Sequence, residues 1–206
     1  FGGEDLLPPN SSKFQQACYQ IDLARMEKEP FYGERAFRRL RAVNIAYRRK
    51  IFNRNSFNTS LISLQEPELH HRLIKEGLTA KFNPKIAVYH DRRKDVRSLF
   101  RQMYRNGKAK MQLIKLHGSE TLSFEDIVSV AVPFLTLYFI FAHFSYSSRL
   151  LVTWIALLAL YYIAKPFYIL SKTSKLNLYP QMFKAVLSRE IGYSLGILAG
   201  LKEFFK

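Results

Sequence analysis

Leu64-Gln65-Glu66-Pro67-Glu68-Leu69-His70-His71-Arg72-Leu73 reads as the opening of a helix. Pro67 suits a first turn, where its missing N–H is no loss, and Glu66 then falls at or near the cap. Leu69 and Leu73 share a face at i,i+4, and Glu68 can pair with Arg72 on the next. Gly77 supplies a stop after Ile74-Lys75-Glu76. The expected product is a short helix with acidic groups at its N-terminal mouth, where a fold can present a carboxylate to a cleft. The plainer reading is an acidic first turn with one surface ion pair. His70 and His71 read as surface positions.

Upstream, Phe1-Gly2-Gly3, Pro8-Pro9-Asn10-Ser11-Ser12 and Pro30-Phe31-Tyr32-Gly33 carry turn chemistry. Phe14 to Lys28 has helical spacing, with Phe14, Ala17, Cys18, Ile21 and Leu23-Ala24 on one side. Arg35, Arg38, Arg39, Arg41, Arg48, Arg49, Lys50 and Arg54 make a basic run. Within it Ala42 to Tyr47 reads as a buried strand and Arg48 to Phe52 as a short helix. Downstream, Lys81 to His90 reads as a strand ending on His90. Asp95 to Lys115 is amphipathic, with Val96, Leu99, Phe100, Met103 and Tyr104 on one face. Arg97, Arg101, Arg105, Lys108 and Lys110 lie opposite. Such a helix suits a membrane interface, or the surface of a soluble core.

Ile127 to Phe144 holds no charged residue and, extended by Phe124 and Tyr146, reaches the roughly 20 residues that span a bilayer. Leu150 to Leu170 is a second candidate, with Lys165 able to snorkel. The short link Ser145 to Arg149 makes the pair a hairpin. Lys and Arg crowd both flanks and only Arg149 sits between, so both ends are expected in the cytoplasm. A third apolar stretch, about 190–205, carries Gly192, Gly196 and Gly200, a smooth face for close helix packing. Its relation to the bilayer stays open at this point.

The chain has 206 residues and a formal net charge of +16, a balance that favours phosphorylated ligands, anionic lipid or nucleic acid. Its single cysteine, Cys18, excludes an internal disulfide and a cysteine-based zinc site. It begins at Phe1 with no apolar signal segment, so a piece of a longer protein is expected.

The order Glu66-x-Glu68-Leu69-x-x-Arg72-Leu73, Gly77, Pro84, Val88-Tyr89-His90, Arg101-Gln102-x-x-Arg105-x-Gly107 resembles the second half of the catalytic domain of membrane-attached family 2 glycosyltransferases. Gly2-Gly3, Pro8-Pro9, Ser11-Ser12, Phe14-Gln15 and Ala17 resemble the segment just after that family's sugar-donor site. Asn44-x-Ala46-Tyr47-Arg48-Arg49 resembles the strand and turn before its Glu-Asp motif. Here Gln65-Glu66 stands where Glu-Asp is usual.

The resemblance implies an α/β fold: the second half of a GT-A-like mixed α/β catalytic domain, then a C-terminal α-helical transmembrane region. The implied divisions are 1–95 for the acceptor-side half, 96–123 for an interface helix and 124–206 for the membrane region. Glu66 takes the place of the family's general base, one methylene longer than aspartate. His90 matches the histidine that helps hold the metal and diphosphate. Arg101, Gln102 and Arg105 fall where acceptor or phosphate is met. Asn106-Gly107 replaces the tryptophan of processive members, which implies transfer of single sugars.

The implied cofactor is a divalent metal, Mg²⁺ or Mn²⁺. Its Asp-x-Asp belongs before the segment where this chain starts, and Gly3-Glu4-Asp5 is no substitute. The implied partners are a nucleotide-sugar donor, a lipid-linked or glycan acceptor, membrane lipids and a chain carrying the missing N-terminal half. Nucleic acid is not among them, because no nucleic-acid module matches. The implied location is the cytoplasmic membrane, multi-pass, with the catalytic part on the cytoplasmic side. A different class also fits: a non-catalytic membrane subunit or degenerate remnant that binds anionic lipid or a partner chain.

Overall fold

The structure is a computed structural model that describes residues 1–24, 30–145 and 148–204. It is mostly helical, with one small sheet. Strand β1 (Gly2–Leu6) runs parallel to β3 (Ala80–Tyr89), and β2 (Phe31–Gly33) pairs with the other edge of β3 in antiparallel sense. That is far less sheet than a mixed α/β catalytic domain carries, so the expected GT-A-like architecture gains no support from the fold.

The β1–β3 register jumps from Gly2↔Phe82 to Glu4↔Ala87, so Asn83 to Ile86 bulge out of the ladder. Pro84, which has no N–H to give, is tolerated there. Gly3 is needed at this crossing, because a Cβ would sit 1.9 Å from the Ile86 carbonyl oxygen. The Asn44 amide then stitches the bulge, donating to Glu4 O at 2.7 Å and Ile86 O at 2.9 Å.

Helix α1 (Lys13–Leu23) starts at a capping box built by Ser12 and Gln15. The expected continuation through Arg25 to Lys28 lies outside the described residues. Phe31–Gly33, expected as a turn, is a strand, and Gly33 (φ +96°) swings the chain into α2 (Glu34–Arg39). The strand expected over Ala42 to Tyr47 is instead a 3₁₀ turn, Ala42–Asn44, followed by a single bridge from Ile45 to Gly2. Its apolar residues still reach the core, because Ile45, Tyr47 and Ile51 pack on Phe37, Leu69, Leu73 and Phe82. A second 3₁₀ stretch, Arg49–Asn53, covers the expected short helix.

Helix α3 (Gln65–Lys75) buries Leu69 and Leu73 completely and stops before Gly77 at φ +74°. Helix α4 (Val96–His117) opens on an Asp95–Ser98 capping box. It runs beside the parallel helix α7 (Tyr179–Phe204), which pairs Ser188 with Val96, Gly192 with Phe100 and Gly196 with Tyr104. The glycines set that separation: a Cβ on Gly196 would lie 2.1 Å from the Tyr104 carbonyl oxygen, and one on Gly107 2.2 Å from that of Tyr193.

Helices α5 (Phe124–Ser145) and α6 (Ser148–Ser171) form the hairpin; Tyr146 and Ser147 of the expected link lie outside the described residues. At 1.5 Å per residue they are about 33 and 36 Å long, enough for a hydrocarbon core of roughly 30 Å. Their apolar stretches, Asp126–His143 and Ser148–Ser171, are only 11% and 6% buried by the rest of the protein. A core helix would be mostly covered, so these are two helices long and apolar enough to cross a membrane. Lys165, expected to reach for the interface, is held by Glu190 of α7 and the Tyr161 hydroxyl. Asp126 at the start of α5 accepts from Tyr193 of α7 and pairs with Lys110 of α4 at 3.0 Å. Ala17 of α1 packs among Leu170, Leu178, Met182 and Val186, so the expected divisions share a core.

Candidate functional site

The mouth of α3 is capped by Leu64, not Glu66, and Leu64 sits in the left-handed region at φ 62°, ψ 26° with no side-chain cap. A bulky residue there costs about 1–3 kcal/mol, a strain that collects at functional turns. Glu66 follows as the second helical residue, half-buried. Among the described residues its carboxylate forms no hydrogen bond or ion pair. Its charge is nonetheless felt at Tyr47, whose phenol is pushed well above its ordinary range by burial first and by Glu66 second.

The other histidine and carboxylate of this helix behave differently. Glu68 is 2% exposed and accepts from Arg72 Nε at 2.8 Å and Nη2 at 2.9 Å, with His117 Nε2 2.9 Å away. Burial alone would raise its pKa, but the bonds from Arg72 and His117 outweigh that and hold the carboxyl below its usual value. His70, expected at the surface, is 5% exposed and lies with Nε2 2.7 Å from the Tyr47 hydroxyl. Burial lowers its pKa to about 4, so the ring is neutral. Glu66 and His70 are one turn apart, and of the two it is His70 that Tyr47 bonds.

His90 lies just beyond the carboxyl end of β3, its N–H donating to Leu6 O at 2.8 Å, beside the end of the parallel strand β1. Its Nδ1 is 3.1 Å from Asp5 Oδ2 and 3.1 Å from Arg92 Nη1. Arg92 donates to Asp5 at 2.6 Å and pairs with Asp22 at 2.9 Å, while Arg41 holds Asp22 at 2.5 Å and approaches Asp5 at 3.5 Å. Glu4, the neighbour of Asp5, is gripped by Arg39 at 2.7 and 2.8 Å. Burial would raise the Asp5 pKa, but the Arg92 bond and the Arg41 and Arg92 charges hold it down.

If Nδ1–H of His90 donates to Asp5, Nε2 keeps a lone pair; if Nδ1 accepts from Arg92, Nε2 is a donor suited to phosphate. Neither arrangement makes a cage for a divalent ion. No three His, Cys, Asp or Glu side chains converge on a metal position among the described residues. Asp5 is the one carboxylate at His90, and two guanidinium groups already occupy it. Mg²⁺ or Mn²⁺ requires several oxygen ligands, so these residues alone do not fit the implied metal.

Gln102 accepts from Arg93 Nε at 3.1 Å, three residues beyond His90. One turn along α4, Asn106 accepts from Ser63 Oγ at 2.6 Å, three residues before Glu66. Gln102 is thus tied to the segment just after the His90 strand end, and Asn106 to the segment just before α3. Arg101 and Arg105 line a groove with Arg93, Ser98, Phe100 and Tyr104. Among the described residues no hydrogen bond or ion pair joins Glu66, Gln102 and His90 to one another, and Arg93 links Gln102 to the groove of the two arginines.

Sequence reasoning missed the Asp5–Asp22–Arg41–Arg92 cluster and the Tyr47–His70 bond. Their members lie far apart in the chain: Asp5 on β1, Asp22 on α1, Arg41 after α2 and Arg92 after β3 meet only in the fold. Comparison with models of protein families, with curated proteins and with solved structures gave no match.

Proposed function

We propose that this chain is the membrane-attached, acceptor-side part of a glycosyltransferase of family 2 type. It would serve transfer of single sugars from a nucleotide donor to a lipid-linked or envelope glycan acceptor. The observation that carries the reading is Glu66. In a chain with 32 Lys and Arg against 16 Asp and Glu, this half-buried carboxylate at a strained helix mouth has no hydrogen-bond or ion-pair partner among the described residues. A base must be free to accept a proton, and Glu68 next to it is not.

In the proposed reaction the Glu66 carboxylate takes the proton of an acceptor hydroxyl as that oxygen attacks the anomeric carbon. The new C–O bond forms opposite the breaking bond to phosphate, whose electron pair leaves with the nucleoside diphosphate, and the anomeric centre inverts. Tyr47, fixed by His70, orients the region around the base. The Gln102 side chain is held by Arg93 just beyond the His90 end of β3. Asn106 is engaged by Ser63, which leaves no aromatic platform for a growing polymer at that position. The divalent ion implied by the resemblance would draw its oxygen ligands from an Asp-x-Asp segment outside the described residues, supplied by this protein or by a partner chain. The hairpin α5–α6 would place the site at the cytoplasmic face of the cytoplasmic membrane, multi-pass, as the charge distribution favours.

A second reading rests on a separate observation. The Glu4–Arg39 and Asp5–Arg92–Asp22–Arg41 pairs fill the strand ends where a ligand of a parallel sheet would otherwise sit. That suits a non-catalytic membrane subunit. Membranes from cells with and without the full chain, incubated with labelled nucleotide sugars, separate the two. Label entering lipid or envelope glycan only when the chain is present supports transfer, whereas equal incorporation supports the subunit.

A further inference from the structure

A groove runs along α4, and Glu66 is not among the residues that line it. It is an open surface depression of about 520 Å³ between Arg93, Ser98, Phe100, Arg101, Tyr104 and Arg105. Arg101 and Arg105 are one turn apart and exposed, and neither forms a salt bridge among the described residues. Asp95, the cap of α4, feels the Arg101 charge, but its carboxylate is occupied by the Ser98 N–H at 2.8 Å. The Phe100 and Tyr104 rings stack at 16° and 6.5 Å, giving the cationic groove one flat apolar wall.

Its height on the molecule is fixed by the α4–α7 pair. The Phe100 and Tyr104 backbones rest on Gly192 and Gly196. Between those glycines Tyr193 holds Asp126, where α5 begins, and just before them Glu190 holds Lys165 near the end of α6. Both membrane-hairpin ends therefore meet α7 at the level of the groove.

We infer that this groove seats the phosphate of an anionic membrane phospholipid. The Arg101 and Arg105 guanidinium forks, with Arg93 at the rim, take the phosphate oxygens. The upper acyl and glycerol carbons lie along Phe100 and Tyr104. This needs the membrane hairpin but not sugar transfer, so it stands or falls separately from Glu66.

Native mass spectrometry of the full chain in detergent, titrated with phosphatidylglycerol and with phosphatidylcholine, tests it. One phosphatidylglycerol should be retained about tenfold more tightly than phosphatidylcholine. An Arg101→Gln/Arg105→Gln double variant should lose that preference, while the charge-matched Arg49→Gln/Lys50→Gln control keeps it. Circular dichroism melting of each variant checks that the fold is intact. Equal retention of the two lipids, or equal loss in the control, overturns the site. So does displacement of the lipid by millimolar inorganic phosphate with the same arginine dependence, which would make it a seat for soluble phosphate.

Discussion

Glu66 and Glu68 share the first turn of α3, yet among the described residues Glu66 has no hydrogen-bond or ion-pair partner while Glu68 is closed between Arg72 and His117. Removing Arg72 leaves the buried Glu68 carboxylate with His117 alone, so Arg72→Ala should destabilise the chain by about 3 kcal/mol in chemical denaturation. A loss below 1 kcal/mol would mean that Glu68 is solvated. His70 gives a pH signature. Its unfolded ring titrates near 6.5 and its folded ring at about 4, so between those values the unfolded chain binds a proton that the folded chain refuses. Stability from this group is complete above pH 6.5 and falls by about 3 kcal/mol as pH drops towards 4. His70→Gln should flatten that slope, and an unchanged slope would place its origin elsewhere. The Glu68–Arg72 pair was legible in the sequence, because i,i+4 spacing is local. The burial of His70 was not, because it depends on Tyr47 and Phe37 arriving from other elements.

Among the elements, the α4–α7 pair rests on glycine. The Gly192-x-x-x-Gly196-x-x-x-Gly200 spacing announced a close-packing face, but not which helix would fill it. That was settled by α4, whose Gly107 lies against α7 in return. A Gly196→Leu change forces a side chain into the Tyr104 carbonyl, so it should separate the helices and lower the melting temperature in detergent. Gly192→Ala should be milder, because its Cβ would approach Phe100 O to 2.8 Å, against 2.1 Å to Tyr104 O for a Cβ on Gly196. Equal effects at the two positions would contradict the packing. The strand expected over Ala42 to Tyr47 failed for the opposite reason. A short apolar run signals burial, but β1 already has β3 as its partner, and Ile45 keeps only the bridge to Gly2.

For the whole molecule, composition and hydropathy located the hairpin well, since span length is a property of one segment. The small sheet was less legible, because it joins residues 2–6, 31–33 and 80–89. Orientation can be read by thiol labelling. Cys18 gives little background, as burial pushes its thiol up to about 12. Ser148→Cys should react with an impermeant maleimide on intact cells, and Lys172→Cys only after permeabilisation; the reverse pattern would invert the proposed topology. The most direct measurement is sugar transfer by membranes carrying the full chain with Glu66 intact, as Glu66→Asp or as Glu66→Gln. With the donor half supplied, activity is expected in the first two and a loss of at least about a hundredfold in Glu66→Gln, whose amide cannot take the proton. Transfer that persists undiminished in Glu66→Gln would remove Glu66 as the base and, with it, the proposed site.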